Sequence, residues 1–223
     1  GAPSARENSG VTSMNTIESR RTGDAKQLLA DEVFHLIGQR IVDGALAPGD
    51  RIRDVAVADE LHVSRTPVRE ALQRLERLGL VTMYPSRYTE VTPVSPETVA
   101  STREFAGYQA GVSARMGVPR LTEEERATAV QLVDRLDGAL PSGAQTSERR
   151  WEFFSYLGAR SNNPRHGAVI DDASFAIFRN LRDWVVPVDD HERMRGIHAE
   201  LRDAVQRGDG DAAERLARLM YYV

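Results

Sequence analysis

The stretch "DVAVADELHVSRTPVREALQRLERL" constrains the fold most strongly, because it holds two helical patterns separated by only three residues. The first pattern predicts a helix over residues 55–61, with Asp54 as its N-cap. The second helix is expected to have Thr66 as N-cap and Pro67 as first residue, since proline lacks the N–H that would be unpaired there. Ser64 is the rival N-cap. Two helices with so short a connection predict a helix-turn-helix.

Flanking patterns extend this motif to a predicted winged helix-turn-helix domain over residues 24–95. Upstream, apolar residues recur at three- and four-residue steps from about Ala25 and stop at Gly44, which predicts an amphipathic helix. Downstream, residues 80–84 and 88–94 are rich in β-branched and aromatic residues and flank the turn "PSR". This pattern predicts a β-hairpin, which would form the wing.

The helix that follows "VSRT" is predicted to have two unlike faces. A step of 100° per residue separates an apolar face from an exposed one. The apolar face has Val68, Ala71, Leu72, Leu75 and Leu78, and the exposed face has Thr66, Arg69, Gln73 and Arg77. The first face is expected to anchor the helix in a core, and the second to remain available to a partner.

Charge is distributed unevenly along the chain. The formal net charge is −4, yet residues 64–87 carry five arginines against two glutamates. An acidic protein is not expected to coat nucleic acid over its whole surface, so any binding of nucleic acid must be local. The alternative for Arg65 and Arg69 is an ordinary solvated helix face.

Composition excludes several other classes of protein. The chain has no cysteine, which excludes disulfides and thiolate metal sites. No run approaches the roughly 18 consecutive apolar residues of a membrane span, and the N-terminus lacks the pattern of a secretory signal. We therefore expect a soluble, cytoplasmic protein with no membrane partner. Residues 1–23 are small and polar and are predicted to form a disordered tail.

Residues 96–223 are predicted to form an all-α antiparallel bundle of about six helices, because no strand pattern appears there. The interior of such a bundle can hold a small-molecule pocket. The predicted boundaries are an N-cap at Ser95, a capping box of Thr122 and Glu125, a helix end at Gly138, a helix over residues 149–160, an N-cap at Asn163, a stop at Pro187, an N-cap at Asp189 or Asp190, a helix end at Gly208, and a capping box of Asp211 and Glu214.

The segment "GALAPGDRIRDVAVADELHVSRTPVREALQRLERLGLV" resembles the DNA-binding domain of GntR-family bacterial transcription regulators. The resemblance implies DNA contacts by Ser64, Arg65, Thr66 and Arg69, with the two arginines as candidates for guanine. Gln73 on the exposed face and Arg87 on the wing complete the predicted DNA-binding set.

The second half resembles the FCD-type effector-binding and dimerising domain of the FadR-like subgroup, best at "SNNP" and "HAELRDAVQRGDGDAAERLARLM". Many such domains bind a divalent metal through one Asp and three His. The matching positions here are Arg150, Phe154, His198 and a residue near Met220, so one ligand of four remains. A zinc-like centre needs about three protein ligands, and we expect no metal cofactor.

Arg150, Phe154 and His198 are instead the predicted effector-binding residues. Phe154 in place of a ligand implies a more apolar cavity, and Arg150 implies counter-charge for an anionic ligand. The alternative for His198 is a hydrogen-bonded histidine of the core.

Together these patterns predict a homodimeric repressor that binds a pseudo-palindromic DNA operator and responds to a small-molecule effector. Two alternatives stay open. In the first, the C-terminal domain only dimerises. In the second, Asp189, Asp190, His191 and His198 act as acid–base groups of an enzyme, although no nucleophile elbow or phosphate-binding glycine loop supports this.

Overall fold

The computed structural model describes the backbone of residues 10–223 and the side chains of residues 23–223. It divides the chain into two compact units, the first ending at Thr92 and the second spanning Pro93–Val223. The predicted boundary after residue 95 therefore lies slightly inside the second unit. Among the described residues, no helix combines the length and apolar content that crossing a membrane requires.

The first unit is a winged helix-turn-helix, as predicted. Its elements are α1 (Gly10–Val42), β1 (Arg51–Ile52), α2 (Asp54–Leu61), α3 (Arg65–Arg77), β2 (Val81–Tyr84) and β3 (Tyr88–Val91). The strands form an antiparallel sheet in the order β1-β3-β2. Thr89 of the central strand β3 pairs with Ile52 of β1 on one side and with Met83 of β2 on the other. The two-residue strand β1 is too short to give a periodic signal and was not predicted.

Helix α1 is longer than its apolar pattern. It begins at Gly10, so the disordered tail predicted for residues 1–23 is wrong from Gly10 onward, and residues 1–9 lie outside the described part. Extending an existing helix avoids the cost of a new nucleus, which explains why polar residues continue it beyond the packed region.

The core of the first unit forms where α1 packs against α3. Phe34 and Ile37 of α1 and Val68, Leu72 and Leu75 of α3 are all at most 1% exposed. The predicted apolar face of α3 is thus confirmed, except that Leu78 is only half-buried. The predicted opposite face is exposed throughout.

The second unit is an all-α bundle with seven α-helices. They are α4 (Pro96–Gly117), α5 (Glu123–Val133), α6 (Leu136–Ala139), α7 (Gly143–Ala159), α8 (Pro164–Asn180), α9 (His191–Arg207) and α10 (Gly210–Met220). Helix α6 was not predicted: α5 ends at Val133, and Gly138 lies inside α6 instead of ending α5. Helix α7 starts at Gly143, ahead of the start predicted at residue 149, because Ser142 caps it.

Several predicted caps are confirmed by their hydrogen bonds. The Ser95 side chain accepts from the Thr98 N–H, and Thr122 and Glu125 form the predicted capping box. The Asn163 side chain accepts from the N–H of His166. Gly208 ends α9 in the left-handed region with φ 69°, as expected for a C-cap glycine. Asp190 occupies the N-cap position of α9, but its side chain makes no capping bond.

Other predicted caps are wrong by one or two residues. Ser64, the rival choice, is the N-cap of α3, and Thr66 lies inside the helix. Asp54 is the first residue of α2, where its carboxylate accepts from the Val55 N–H. Asp209 rather than Asp211 caps α10. Neighbouring polar residues compete for a cap, and only the backbone path selects between them.

Helix α4 buries its small residues and leaves its large ones outside. Alanine and glycine fill its buried face, whereas Phe105, Tyr108 and Val112 are 37%, 48% and 39% exposed. At Gly117 a Cβ atom would lie 2.9 Å from the carbonyl carbon of Leu157 and closer still to its oxygen, so α7 approaches the α4 backbone directly.

We expect Gly117→Ala to lower the unfolding free energy of the second unit by about 1–3 kcal/mol, because the added methyl group meets backbone that cannot move aside. Gly138→Ala is the matched control: nothing lies within 4 Å of its Cβ position, so this change is expected to be neutral or slightly stabilising. Urea unfolding followed by tryptophan fluorescence measures this unit, because Trp151 and Trp184 both lie in it. Equal stabilities of the two variants would contradict the close packing.

Candidate functional site

The first half of the candidate site is the amino-terminal end of α3, where Ser64, Arg65, Thr66 and Arg69 are all exposed. Ser64 makes no capping bond with its hydroxyl. The Arg65 and Arg69 side chains are 57% and 59% exposed. The free N–H groups and positive dipole end of a helix favour anions, so charge and backbone act in the same direction here.

Asp54 contacts both of these arginines. Its Oδ2 accepts hydrogen bonds from Arg65 Nη2 at 2.9 Å and Nε at 3.3 Å, and it lies 4.0 Å from Arg69 Nε. The bond from Arg65 holds the pKa of Asp54 below its ordinary value, with smaller contributions from the Val55 N–H and the Arg69 charge. Sequence reasoning assigned Asp54 only a capping role and missed this one. Its position at the start of the neighbouring helix was the available signal.

The remaining predicted residues extend this surface in two directions. Gln73 lies further along the exposed face of α3, where it lines a groove with Arg77 and residues of α1. Arg87 is exposed in the hairpin turn, where its backbone N–H donates to the Tyr84 carbonyl. Arg51 of the unpredicted strand β1 lies 4.0 Å from the centre of the Tyr88 ring. It is a further wing cation that sequence reasoning did not select.

Arg74 differs from these exposed arginines. It pairs with Asp31 of α1 and lies 3.9 Å from the centre of the Phe34 ring. This side chain therefore helps to join α3 to α1.

The second half of the candidate site is a cavity inside the second unit. It is lined by Ala106, Gln109, Ala110, Ser113, Ser147, Arg150, Trp151, Phe154, Ser155, Ile170, Ile177 and Tyr221. The room left for the centre of a water molecule is about 20 Å³, enough for about one water. The whole envelope, with its mouth, is about 350 Å³.

Arg150 is the only charged residue among those that line this cavity. It is 3% exposed, and its guanidinium lies 4.5 Å from the Tyr221 ring centre and 5.7 Å from that of Trp184. Nη2 also contacts the Met194 sulfur at 3.9 Å. No carboxylate of the described residues pairs with it. Burial lowers the pKa of Arg150 and raises the pKa of Tyr221.

His198 is buried near the cavity but does not line it. Its Nδ1 lies 2.6 Å from Asp137 Oδ1, which fixes the ring orientation, and its buried Nε2 has no hydrogen-bond partner among the described residues. Burial lowers the pKa of His198. The Asp137 bond opposes this shift, and the Arg150 charge adds to it.

A divalent metal does not fit these residues. Of the four positions that the FCD resemblance assigns to metal ligands, only the one at His198 holds a metal-ligating side chain, and Arg150 stands at the carboxylate position. The positive charge acting on His198 would also repel a cation. Among the described residues, no group of three or more His, Cys, Asp or Glu side chains is arranged to hold a metal ion.

A winged helix-turn-helix with a basic helix end, followed in the same chain by a helical unit with an internal cavity, defines a two-domain DNA-binding transcriptional regulator. Family profiles agree: "Bacterial regulatory proteins, gntR family" matches residues 29–91, and the FCD domain matches residues 111–221. The chain belongs to the GntR family, and its C-terminal unit is an FCD domain.

Individual relatives resemble most of the chain at low identity. An HTH-type transcriptional regulator of Mycobacterium tuberculosis is 25% identical over 203 residues, which covers 85% of this chain and 80% of the relative. The HTH-type transcriptional repressor RspR of Escherichia coli K12 is 26% identical over 199 residues, covering 85% and 84%. The solved structure of E. coli McbR/YncC has 22% identity and a TM-score of 0.61, covering 86% and 93%, and is similar in fold.

We expect Asp54→Asn to raise the affinity for DNA of unrelated sequence severalfold, because removing this carboxylate releases Arg65 and Arg69 and removes a charge that repels phosphate. Fluorescence anisotropy with a labelled duplex at two salt concentrations measures the affinity and its salt dependence. Asp59→Asn is the control, since Asp59 is an exposed acid of the same helix. Unchanged or weaker binding by the Asp54 variant would contradict this role.

Acidification is expected to destabilise the second unit through His198. Folding lowers the pKa of His198, so the neutral imidazole contributes to the unfolding free energy. This contribution is fully present above the unfolded-state pKa of about 6.5 and is lost as the pH falls from there through the folded-state pKa. One such group gives a slope of at most about 1.4 kcal/mol per pH unit. Urea unfolding between pH 7 and pH 5, followed by tryptophan fluorescence, is expected to show a shallower slope for His198→Asn. The exposed His62→Asn control should keep the wild-type slope.

Proposed function

We propose that this regulator is a homodimeric repressor that binds a pseudo-palindromic operator, and that a small molecule in the FCD cavity changes its affinity for that operator. The observation that carries the proposal is the pair of arginines, Arg65 and Arg69, held together by Asp54 at the exposed end of α3. RspR, a relative that is named as a repressor, supports the direction of regulation.

In this proposal the end of α3 enters the major groove. Arg65 and Arg69 reach guanine O6 and N7, where the guanidinium can donate two parallel hydrogen bonds. Ser64 and Thr66 donate to phosphates beside the helix end, Gln73 reaches the groove further along α3, and the wing brings Arg87 to the backbone or the minor groove.

Dimerisation is supported by the outer face of α4. Phe105, Tyr108 and Val112 follow one another at helical spacing, and each leaves more than a third of its surface exposed. A second copy of the chain would bury this apolar stripe. Two-fold symmetry then gives two recognition helices for two half-sites.

The effector acts by preferring one state of the dimer. It can change operator affinity only by the difference between its affinities for the DNA-binding state and the other state. The proposal requires no metal, because Arg150 and Phe154 replace ligands. It assigns the protein to the cytoplasm, where its operator DNA is found.

A second candidate function is a DNA-binding dimer whose FCD domain senses nothing. The cavity has room for only about one water molecule, which favours this second function. A small molecule that co-purifies with the protein and alters its operator affinity would exclude it.

We expect Arg65→Ala and Arg69→Ala each to weaken binding to an operator by about 10- to 100-fold, because each removes a two-bond contact to a guanine. The operator is first selected from a random duplex library with the wild-type protein, and binding is measured by anisotropy against an unrelated duplex. Arg202→Ala is the control, because Arg202 pairs with Asp134 in the second unit. Size-exclusion chromatography with light scattering checks that the variants remain dimers. Unchanged discrimination between operator and unrelated DNA in the arginine variants would refute the assignment.

A further inference from the structure

Burial of a guanidinium without a carboxylate partner is energetically unfavourable, and the Arg150 guanidinium is buried at the wall of a cavity. The rings of Tyr221 and Trp184 compensate part of it through cation–π contacts. The described residues offer no anion to compensate the rest. A ligand that brings a negative charge into the cavity would supply what the protein lacks.

We infer that the FCD cavity binds a small organic monocarboxylate directly on the Arg150 guanidinium, without a metal ion. This inference rests on the proposed effector-binding role and names the ligand class. Arginine binds a carboxylate through two parallel hydrogen bonds, which fixes the orientation as well as the charge.

The charge of the lining selects a monoanion. Apart from Arg150, all lining residues are neutral, so a phosphate dianion would leave one charge uncompensated in a buried site. Among the serines of the lining, Ser113 contacts His166 Nε2 and Ser155 donates to the Glu152 carbonyl, which leaves the Ser147 hydroxyl to donate a further hydrogen bond to an oxyanion.

The rest of the lining selects an apolar body. Trp151, Phe154, Ile170 and Ile177 contribute large apolar side chains to the lining. The room inside the cavity, about 20 Å³ for the centre of a water molecule, is far below the roughly 300–1,000 Å³ of small-molecule sites. A ligand must therefore displace side chains as it enters.

Benzoate and its uncharged analogue benzamide test this inference on the chain of 223 residues. With EDTA present, we expect benzoate, at concentrations up to about 10 mM, to raise the unfolding midpoint of the tryptophan signal and benzamide to leave it unchanged. Arg150→Met is expected to lose at least about tenfold in benzoate affinity by calorimetry, and Arg150→Lys to lose less, because it keeps the charge but not the planar fork. Arg160→Met is the matched control, since Arg160 also stacks on an aromatic ring, Tyr156, but pairs with Glu125 outside the cavity.

Three results would overturn the inference: equal binding of benzamide and benzoate, a benzoate effect that needs added Zn²⁺ and disappears with EDTA, or no benzoate effect at all. Retained benzoate binding by Arg150→Met would overturn it as well. Operator affinity is also measured on the same samples without added ligand. This measurement distinguishes a failure of the ligand assignment from a failure of the proposed DNA-binding function. The Arg160→Met control, which changes a residue outside the cavity, is expected to bind the operator as the wild type does. If wild-type protein discriminates operator from unrelated DNA but fails the benzoate test, only the ligand assignment falls.

Discussion

The close approach of α7 and α10 to the backbone of α4 is the constraint on which the second unit depends. Glycine and alanine on the buried face of α4 permit it, since a side chain at Gly107 would meet Tyr221 and one at Gly117 would meet the α7 backbone. This packing holds Tyr221 beside Arg150 and leaves Phe105 and Val112 outside. The cavity and the apolar outer stripe therefore have one origin, the small residues of a single helix.

In the first unit, one helix performs two tasks because its faces are chemically separate. Buried contacts to α1 through Val68, Leu72 and Leu75 fix the helix axis, so the opposite face can be highly charged without weakening the core. Asp54 limits the conformations of Arg65 and Arg69. In our proposal the carboxylate both organises these arginines and competes with phosphate for them, which favours discrimination over affinity.

In our proposal the second unit keeps the FCD fold and changes the chemistry of its site. Arg150 and Phe154 stand at positions that the FCD resemblance assigns to metal ligands, and Asp137 fixes the ring orientation of His198. A fixed cation from a metal and one from a guanidinium both attract an anion, but the guanidinium does so through directed hydrogen bonds. In our proposal the site keeps a positive charge, but a guanidinium provides it in place of a metal ion.

The sequence by itself determined the winged helix-turn-helix, the two faces of α3, the basic end of that helix and the helical character of the second half. These features follow from apolar periodicity, caps and charge, which act over a few residues. It did not determine β1, α6 or the choice between Ser64 and Thr66, because short elements carry little periodic signal. Only the tertiary structure decided that Asp54 meets Arg65 and Arg69, that α4 buries its small side, and that Arg150 has no carboxylate partner among the described side chains. Each depends on residues distant in sequence, whose encounter is set by packing rather than by local pattern.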